Sequence, residues 1–288
     1  MNEGPLYNFP LLMLNVGFAR HCGDWNWRNV RSPFARLYYV VDGDAQVELP
    51  DGIVSLLPHH LYLVPPYTMH SNICKGVFSH YYLHLYEDPS YGGSFWDDWK
   101  FPVEVEAAND DQNLMKRLCE VNPGMKLNQS DPESYDNRTT LISNIQNNQQ
   151  RSVCDKVEST GIILLLLSRF LRHATAEKRV KDERIEQALT YIRENIGRRV
   201  NMDELAKVAC MSKDHFIRMF KREVSHTPNA YVTEKKIERA ELLLVTTLLP
   251  VKQIALSLGY DDMAYFNNVF KRHTKVSPLQ YREKYSQV

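Results

Sequence analysis

A chain of 288 residues is long enough for two domains of ordinary size, each with its own core. The formal charge sums to zero, yet residues 185–288 carry 17 basic and 12 acidic side chains, leaving about +5 there and about −5 on the remainder. That asymmetry points to a polyanion partner for the C-terminal part, while five scattered cysteines without a C-x-x-C pair exclude a disulfide or zinc framework, and no apolar run approaches the roughly 20 residues of a membrane span.

No basic stretch followed by an apolar run and a cleavage site opens the chain, so a soluble, cytoplasmic protein without a membrane role is expected. Trp25 and Trp27 sit one pleat apart if the segment is extended, placed to stack on a ligand or to enter a core. From Arg36 to Tyr86, β-rich runs alternate with turn residues. They are Arg36 to Val41, a turn at Asp42-Gly43, Ala45 to Leu49, a turn at Pro50-Asp51-Gly52, Ile53 to Leu57, Leu61 to Val64 before Pro65-Pro66, and Val77 to Tyr86. This spacing predicts a meander closing into a small barrel or sandwich, with Tyr38 to Leu49 as a hairpin. On the last run Phe78, His80, Tyr82, His84 and Tyr86 share one face, as interior lining or as strand residues with polar tips in solvent.

Residues Asn122 to Gln150 are rich in Asn, Gln, Ser and Asp and predict a loop with at most one short helix. Cys154 to His173 reads as a helix buried on more than one face, its Leu-rich centre suited to a dimer contact or to packing within the chain. The charged stretch after it marks a linker at 176–184, between an N-terminal domain at 1–175 and a C-terminal domain at 185–288. The fold class is thus α+β in two domains.

The C-terminal domain repeats itself at about 50 residues. Phe216-x-x-x-Phe220-Lys221-Arg222 followed by Pro228-x-x-Tyr231 returns as Phe266-x-x-x-Phe270-Lys271-Arg272 followed by Pro278-x-x-Tyr281. Upstream, Leu205-Ala206 matches Ile254-Ala255 with an offset of 49, so the second copy has one extra turn residue. Each copy holds the parts of a helix-turn-helix. Asn201 caps a helix ending near Ala209, Cys210-Met211 turns, and Ser212 caps a second helix running to about Glu223. In the second copy a helix starts near Val251 after Pro250, turns at Gly259-Tyr260 and restarts from Asp261, with Ala206 and Ala255 at the close helix approaches. Phe216, Met219 and Phe220 line one face of the second helix, and Asp214, Ile217, Arg218 and Lys221 the opposite one. In the repeat, Phe266, Val269 and Phe270 face inward and Ala264, Asn267, Asn268 and Lys271 outward. Outward polar stripes of this kind are what a recognition helix lays in a major groove.

Residues 185–288 resemble the DNA-binding domain of the AraC/XylS family of transcription regulators. The resemblance implies seven helices, in two three-helix units joined by a linker helix at about Ala230 to Thr246, with double-stranded DNA as partner. It assigns base contacts to Asp214, Ile217, Arg218, Met263, Ala264, Asn267 and Asn268, where arginine suits guanine, asparagine adenine and aspartate cytosine. Lys213, Lys221, Lys271 and Arg272 are the phosphate candidates. The sequence departs from the family in having Ser225 and Lys275 where glycine usually follows each recognition helix, and Asn268 where arginine is frequent.

Residues 36 to 86 resemble, more weakly, the cupin-like barrel that many such regulators use to bind an effector. The effector-binding candidates are Trp25, Trp27, Tyr38, His70, His80, Tyr82 and His84, a lining suited to a sugar or another polar metabolite. No H-x-H pair accompanies His70 and the glycine of the metal-cupin turn is missing, so no metal, cofactor or catalytic residue is expected. The implied protein is a homodimeric, effector-responsive activator that contacts RNA polymerase. The alternatives left standing are a constitutive regulator with a dimerisation-only barrel and a metal-cupin enzyme with a DNA-binding appendage.

Overall fold

A computed structural model describes residues 11–87, 95–136, 138–176 and 182–284, which divide into two compact units, the first described as far as Ala176 and the second from Asp182. The architecture is α+β: an antiparallel sheet with helices in the first unit, helices alone in the second. Part of the expected linker takes regular structure, since residues 175 and 176 form a strand and a helix begins at Glu183; residues 177–181 lie outside the described residues.

The sheet comprises β1 (Leu11–Cys22), β2 (Ala35–Leu49), β3 (Gly52–Leu56), β4 (His60–Val64), β5 (Ser71–Glu87) and β7 (Glu104–Glu106), in the order β1-β5-β2-β4-β7 with β3 paired to β2. β1 lies upstream of the run in which strands are predicted. The expected hairpin from Tyr38 to Leu49 is instead one strand of 15 residues, and Asp42-Gly43 is an irregularity within it. The physical reason lies at Gly43, where φ is +102° and a Cβ atom would sit 2.0 Å from the Val77 carbonyl oxygen. Glycine therefore marks a bend where β2 crosses close to β5, and not a chain reversal.

Side chains alternate along these strands, so both faces are buried. Leu37 and Tyr39 on β2, with Leu83 and Leu85 on β5, pack with the helices that follow, whereas Tyr38, Val40, Phe78 and Tyr82 meet Trp25, Tyr62 and Val64 on the opposite face. The helices are α1 (Phe95–Asp98), α2 (Asp111–Val121), α3 (Pro132–Tyr135), α4 (Arg138–Gln150) and α5 (Val153–Leu171); two short strands, β6 (Trp99–Lys100) and β8 (Thr175–Ala176), pair with each other. Asn122 to Gln150 is thus far more helical than its composition predicts. α4 has almost no apolar face of its own and is held by tertiary contacts, including the Asn148 side-chain amide donating to the Met13 carbonyl at 3.0 Å. α5 buries Ile162, Ile163, Leu166, Leu167 and Phe170 against the sheet and α2, and Arg169 reaches the fully buried Asp111 at 3.1 Å.

The second unit is α6 (Glu183–Glu194), α7 (Met202–Val208), α8 (Lys213–Val224), α9 (Pro228–Thr246), α10 (Val251–Ser257), α11 (Met263–Thr274) and α12 (Pro278–Lys284). α9 starts two residues earlier than the sequence implies, because Pro228 occupies its first turn and the Thr227 hydroxyl accepts from the Ala230 N–H at 3.3 Å. It packs against α8 of the first three-helix set and against α10, α11 and α12 of the second.

Candidate nucleic-acid interface and interior site

α7 and α8 form the first helix-turn-helix, and α10 and α11 the second. Asn201 caps α7 by accepting from the Asp203 N–H at 3.0 Å, as its position predicts. Ser212 stands at the N-cap of α8 but its hydroxyl makes no capping bond, whereas Asp262 caps α11 doubly, accepting from the Ala264 and Tyr265 N–H groups at 2.7 and 3.1 Å. The carboxylate also suits the positive end of the helix dipole. Phe216, Phe220, Phe266 and Phe270 are wholly buried, which fixes the rotation of α8 and α11 about their axes. Lys213 at the start of α8 and Asp262 and Tyr265 at the start of α11 line a single groove of about 840 Å³, floored by Thr233 and Lys236 of α9. The first residues of the two helices therefore border one groove.

In the first unit, the rings of Phe78, His80, Tyr82 and His84 form a continuous row along β5, with centroid separations of 4.6 to 6.2 Å; Phe78 and His80 are stacked and the following pairs are tilted. All four are buried, which removes the reading in which their polar tips lie in solvent. Trp25, Tyr38, His80, Tyr82 and His84 surround one interior void together with His21 and Tyr135, two residues that sequence reasoning did not single out. Trp25 and Trp27 are not one pleat apart on a strand: both lie in the irregular segment after β1, Trp25 buried in the interior and Trp27 half-buried at its edge. His70 lies outside the void lining, its Nδ1 3.0 Å from the Thr68 carbonyl oxygen.

Burial pushes the His80 imidazole down to about 3 and that of His70 to about 4, the latter helped by the Arg36 charge; His84 and His21 are lowered by the same cause. These rings are therefore neutral at physiological pH. His21 Nε2, His70 Nε2, His80 Nδ1 and His84 Nδ1 have no hydrogen-bond partner among the described residues. Arg36 is also buried, bonded by Ser32 at 2.7 Å and Asp136 at 3.1 Å; burial opposes its charge, but Tyr135 and Asp136 hold the guanidinium above its ordinary value. The void itself measures only about 20 Å³, the space of one water molecule. The Tyr82 hydroxyl lies over Gly17, where any Cβ would be 2.3 Å away, and accepts from the Leu127 N–H at 2.8 Å. Among the described residues, no three His, Cys, Asp or Glu side chains group to hold a metal ion.

A family profile described as "Helix-turn-helix domain", of the AraC type, matches residues 205–284, the span from α7 to α12. An uncharacterized HTH-type transcriptional regulator of Haemophilus influenzae is 30% identical over 150 residues, covering 49% of this chain and 50% of that protein. The xylose operon regulatory protein of Escherichia coli K12 is 31% identical over 117 residues, covering 41% of this chain and 30% of that one. The chain thus spans half or less of the length of these relatives. The solved C-terminal domain of the response regulator yesN from Fusobacterium nucleatum is 31% identical, covering 34% of this chain and 95% of that domain, with a TM-score of 0.33.

Residues 205–284 therefore carry a helix-turn-helix domain of the AraC type. Of the positions that the family resemblance assigns to base contact, Asp214, Arg218, Ala264, Asn267 and Asn268 are exposed on α8 and α11. Ile217 and Met263 are half-buried, and Ile217 packs against the core of the first helix-turn-helix, so its outward placement in the sequence reading is corrected. Lys221, Lys271 and Arg272 are exposed; Lys213 is tied to Asp203 at 3.1 Å. Tyr265, 58% exposed, and His215, its counterpart 50 residues earlier, went unremarked in the sequence. The repeat offset identifies them, because each directly precedes a buried phenylalanine. Ser225 and Lys275 adopt left-handed φ of 63° and 70°, the conformation for which glycine is the usual family choice. No helix among the described residues is long and apolar enough to cross a membrane.

Proposed function

We propose that this chain is a regulator of the AraC/XylS type, which controls transcription by reading two adjacent major-groove segments of one duplex with α8 and α11. The observation that carries the reading is the shared groove onto which the starts of both helices open, with exposed polar side chains along each. Selection of binding sites from a random duplex library with the full chain tests it. Enrichment of a two-part site with its halves about one helical turn apart is expected; recovery of no preferred sequence overturns the proposal.

We further infer that the N-terminal unit answers to a small polar effector, a sugar being the class that best suits aromatic rings interleaved with unpartnered imidazole nitrogens. The relative named for the xylose operon supports that class; the role of activator, with RNA polymerase as the second macromolecular partner, belongs to the same proposal. A void of about 20 Å³ favours a second reading, in which the unit serves dimerisation alone. Thermal unfolding of the full chain with a panel of pentoses, hexoses and disaccharides separates them. A ligand that binds only the native state raises the melting temperature, whereas no shift with any sugar leaves the constitutive reading.

A homodimer through α5 belongs to either reading. Val153 (75% exposed), Val157 (67%) and Leu165 (48%) lie on the face of α5 turned away from its own sheet. Sedimentation of Val157→Glu checks this: a monomer is expected, and an unchanged dimer moves the interface elsewhere.

A further inference from the structure

α9 does more than connect the two helix-turn-helix units. Lys236, near its middle, is 5% exposed, and its ammonium group donates to the carbonyl of Arg198 at 2.8 Å and that of Leu258 at 2.5 Å. Arg198 belongs to the segment leading into the first helix-turn-helix, and Leu258 closes the first helix of the second. One side chain thus joins both units to the helix between them. The same ammonium lies 5.2 Å from the centre of the Tyr260 ring, which follows in the turn of the second unit.

The backbone packs equally closely at this point. Gly259 adopts φ +71°, and a Cβ there would lie 2.4 Å from the Arg199 nitrogen and 2.5 Å from the Arg198 carbonyl carbon. At Gly197 a Cβ would lie 3.2 Å from the Ser257 carbonyl oxygen. Two glycines, one from each side, therefore let the 197–199 backbone rest directly on the second unit's turn. Neither a solvated hinge nor a flexible side chain separates them.

A buried ammonium is a costly way to fill this space. Desolvation, aided by the Arg199 charge, draws the Lys236 group down to about 8, and an apolar side chain of similar length removes that cost. What the apolar replacement lacks is direction: two hydrogen bonds from one atom to carbonyls on different units fix an angle and a distance, which dispersion contacts do not.

We propose that Lys236 is a positioning residue that, with Gly259, clamps the two helix-turn-helix units at one separation and so sets the half-site spacing the chain accepts. The assignment of spacing rests on the DNA-reading role proposed above; the clamp itself does not. Each added base pair moves the second half-site by about 3.4 Å and turns it by about 35°, so a rigid pair of units rejects an altered spacing and a loosened pair tolerates it.

The test uses the full chain as wild type, Lys236→Met and Lys236→Gln. Duplexes carry the selected site with its halves moved one or two base pairs closer or further apart. Wild type is expected to lose about tenfold in affinity per base pair displaced, and the variants about threefold or less, while their affinity for either half-site alone stays within about twofold. A second measurement needs no DNA. Spin labels at Lys221→Cys and Lys271→Cys, with the exposed Cys22, Cys154 and Cys210 replaced by serine, report the separation of α8 and α11. A broader distance distribution in the variants than in the Lys236 parent is expected. An unchanged distribution with unchanged spacing preference overturns the clamp. If wild type selects no site, the DNA-reading role fails and the label distances still decide the clamp. If both variants fail to fold, Lys236 serves the core and the positioning role is withdrawn.

Discussion

Phe216 and Phe220 in the first helix-turn-helix, and Phe266 and Phe270 in the second, are wholly buried at equivalent positions of α8 and α11. Each pair is closed by a tyrosine from the next helix, with Tyr231 5.8 Å from Phe220 and Tyr281 5.5 Å from Phe270. Both turns pass through a left-handed residue, Cys210 at φ 50° and Gly259 at φ 71°, and both second helices end on another, Ser225 and Lys275. The exposed stripes do not correspond in this way. α8 presents Asp214, Arg218 and Lys221, and α11 presents Ala264, Asn267 and Asn268 before Lys271. Close packing leaves the frame little latitude, while side chains facing solvent are limited only by what they touch, so one scaffold can carry two different reading surfaces.

The sharpest way to break this equivalence is to empty one anchor at a time. Phe216→Ala and Phe266→Ala are each expected to destabilise their own unit by about 3 to 5 kcal/mol, the range for a large aromatic truncated in a closed core. Thermal unfolding of the full chain followed by circular dichroism reads the loss. A cost confined to one of the two variants shows that the frames are not equivalent.

That frame was legible because the repeat keeps its internal spacings and because caps and turns have local chemistry: Asn201 and Gly259 mark boundaries that the structure places within two residues of those read from the chain. The N-terminal unit was less legible where long-range contacts override local signals. Gly43 reads as a turn until β5 is seen 2.0 Å from its missing Cβ, and α4 has no periodicity to announce a helix that β1 holds in place. His80, Tyr82 and His84 came forward as candidate lining by alternation on one strand and Tyr38 through the cupin-like resemblance, but His21 and Tyr135 enter from other elements, which alternation on one strand cannot reach.

The difference between the reading surfaces is sharpened by Arg218→Ala and Asn267→Ala. Each is expected to weaken binding to the selected site by about 1 to 3 kcal/mol and to relax preference at one base, a guanine for Arg218 and an adenine for Asn267. Competition with duplexes changed at single positions checks this. Equal losses on selected and random DNA remove the residue from base readout. A smaller effect is expected where the frame carries strain. Ser225→Gly and Lys275→Gly relieve a left-handed backbone without touching the stripe, and each should raise stability by up to about 1 kcal/mol. A melting temperature that falls in either variant shows that the original side chain contributes more than its backbone conformation costs.

The smallest effect is predicted for the phosphate candidates, where the two units should again behave alike. Lys221 and Lys271 stand 50 residues apart at equivalent positions, both exposed in the last turns of their helices. Loss of either removes one cation that displaces counterions from the duplex, so Lys221→Ala and Lys271→Ala should each make the salt dependence of log Kd shallower by roughly one. The weakening should be the same on selected and random duplexes, because phosphates carry no sequence. Lys213 differs in being paired at 3.1 Å with Asp203 on α7. Its ammonium must be shared between that carboxylate and any phosphate, so Lys213→Ala should change the slope by less than the other two. A Lys213 slope change as large as that of Lys221 shows that the Asp203 pair opens when DNA binds.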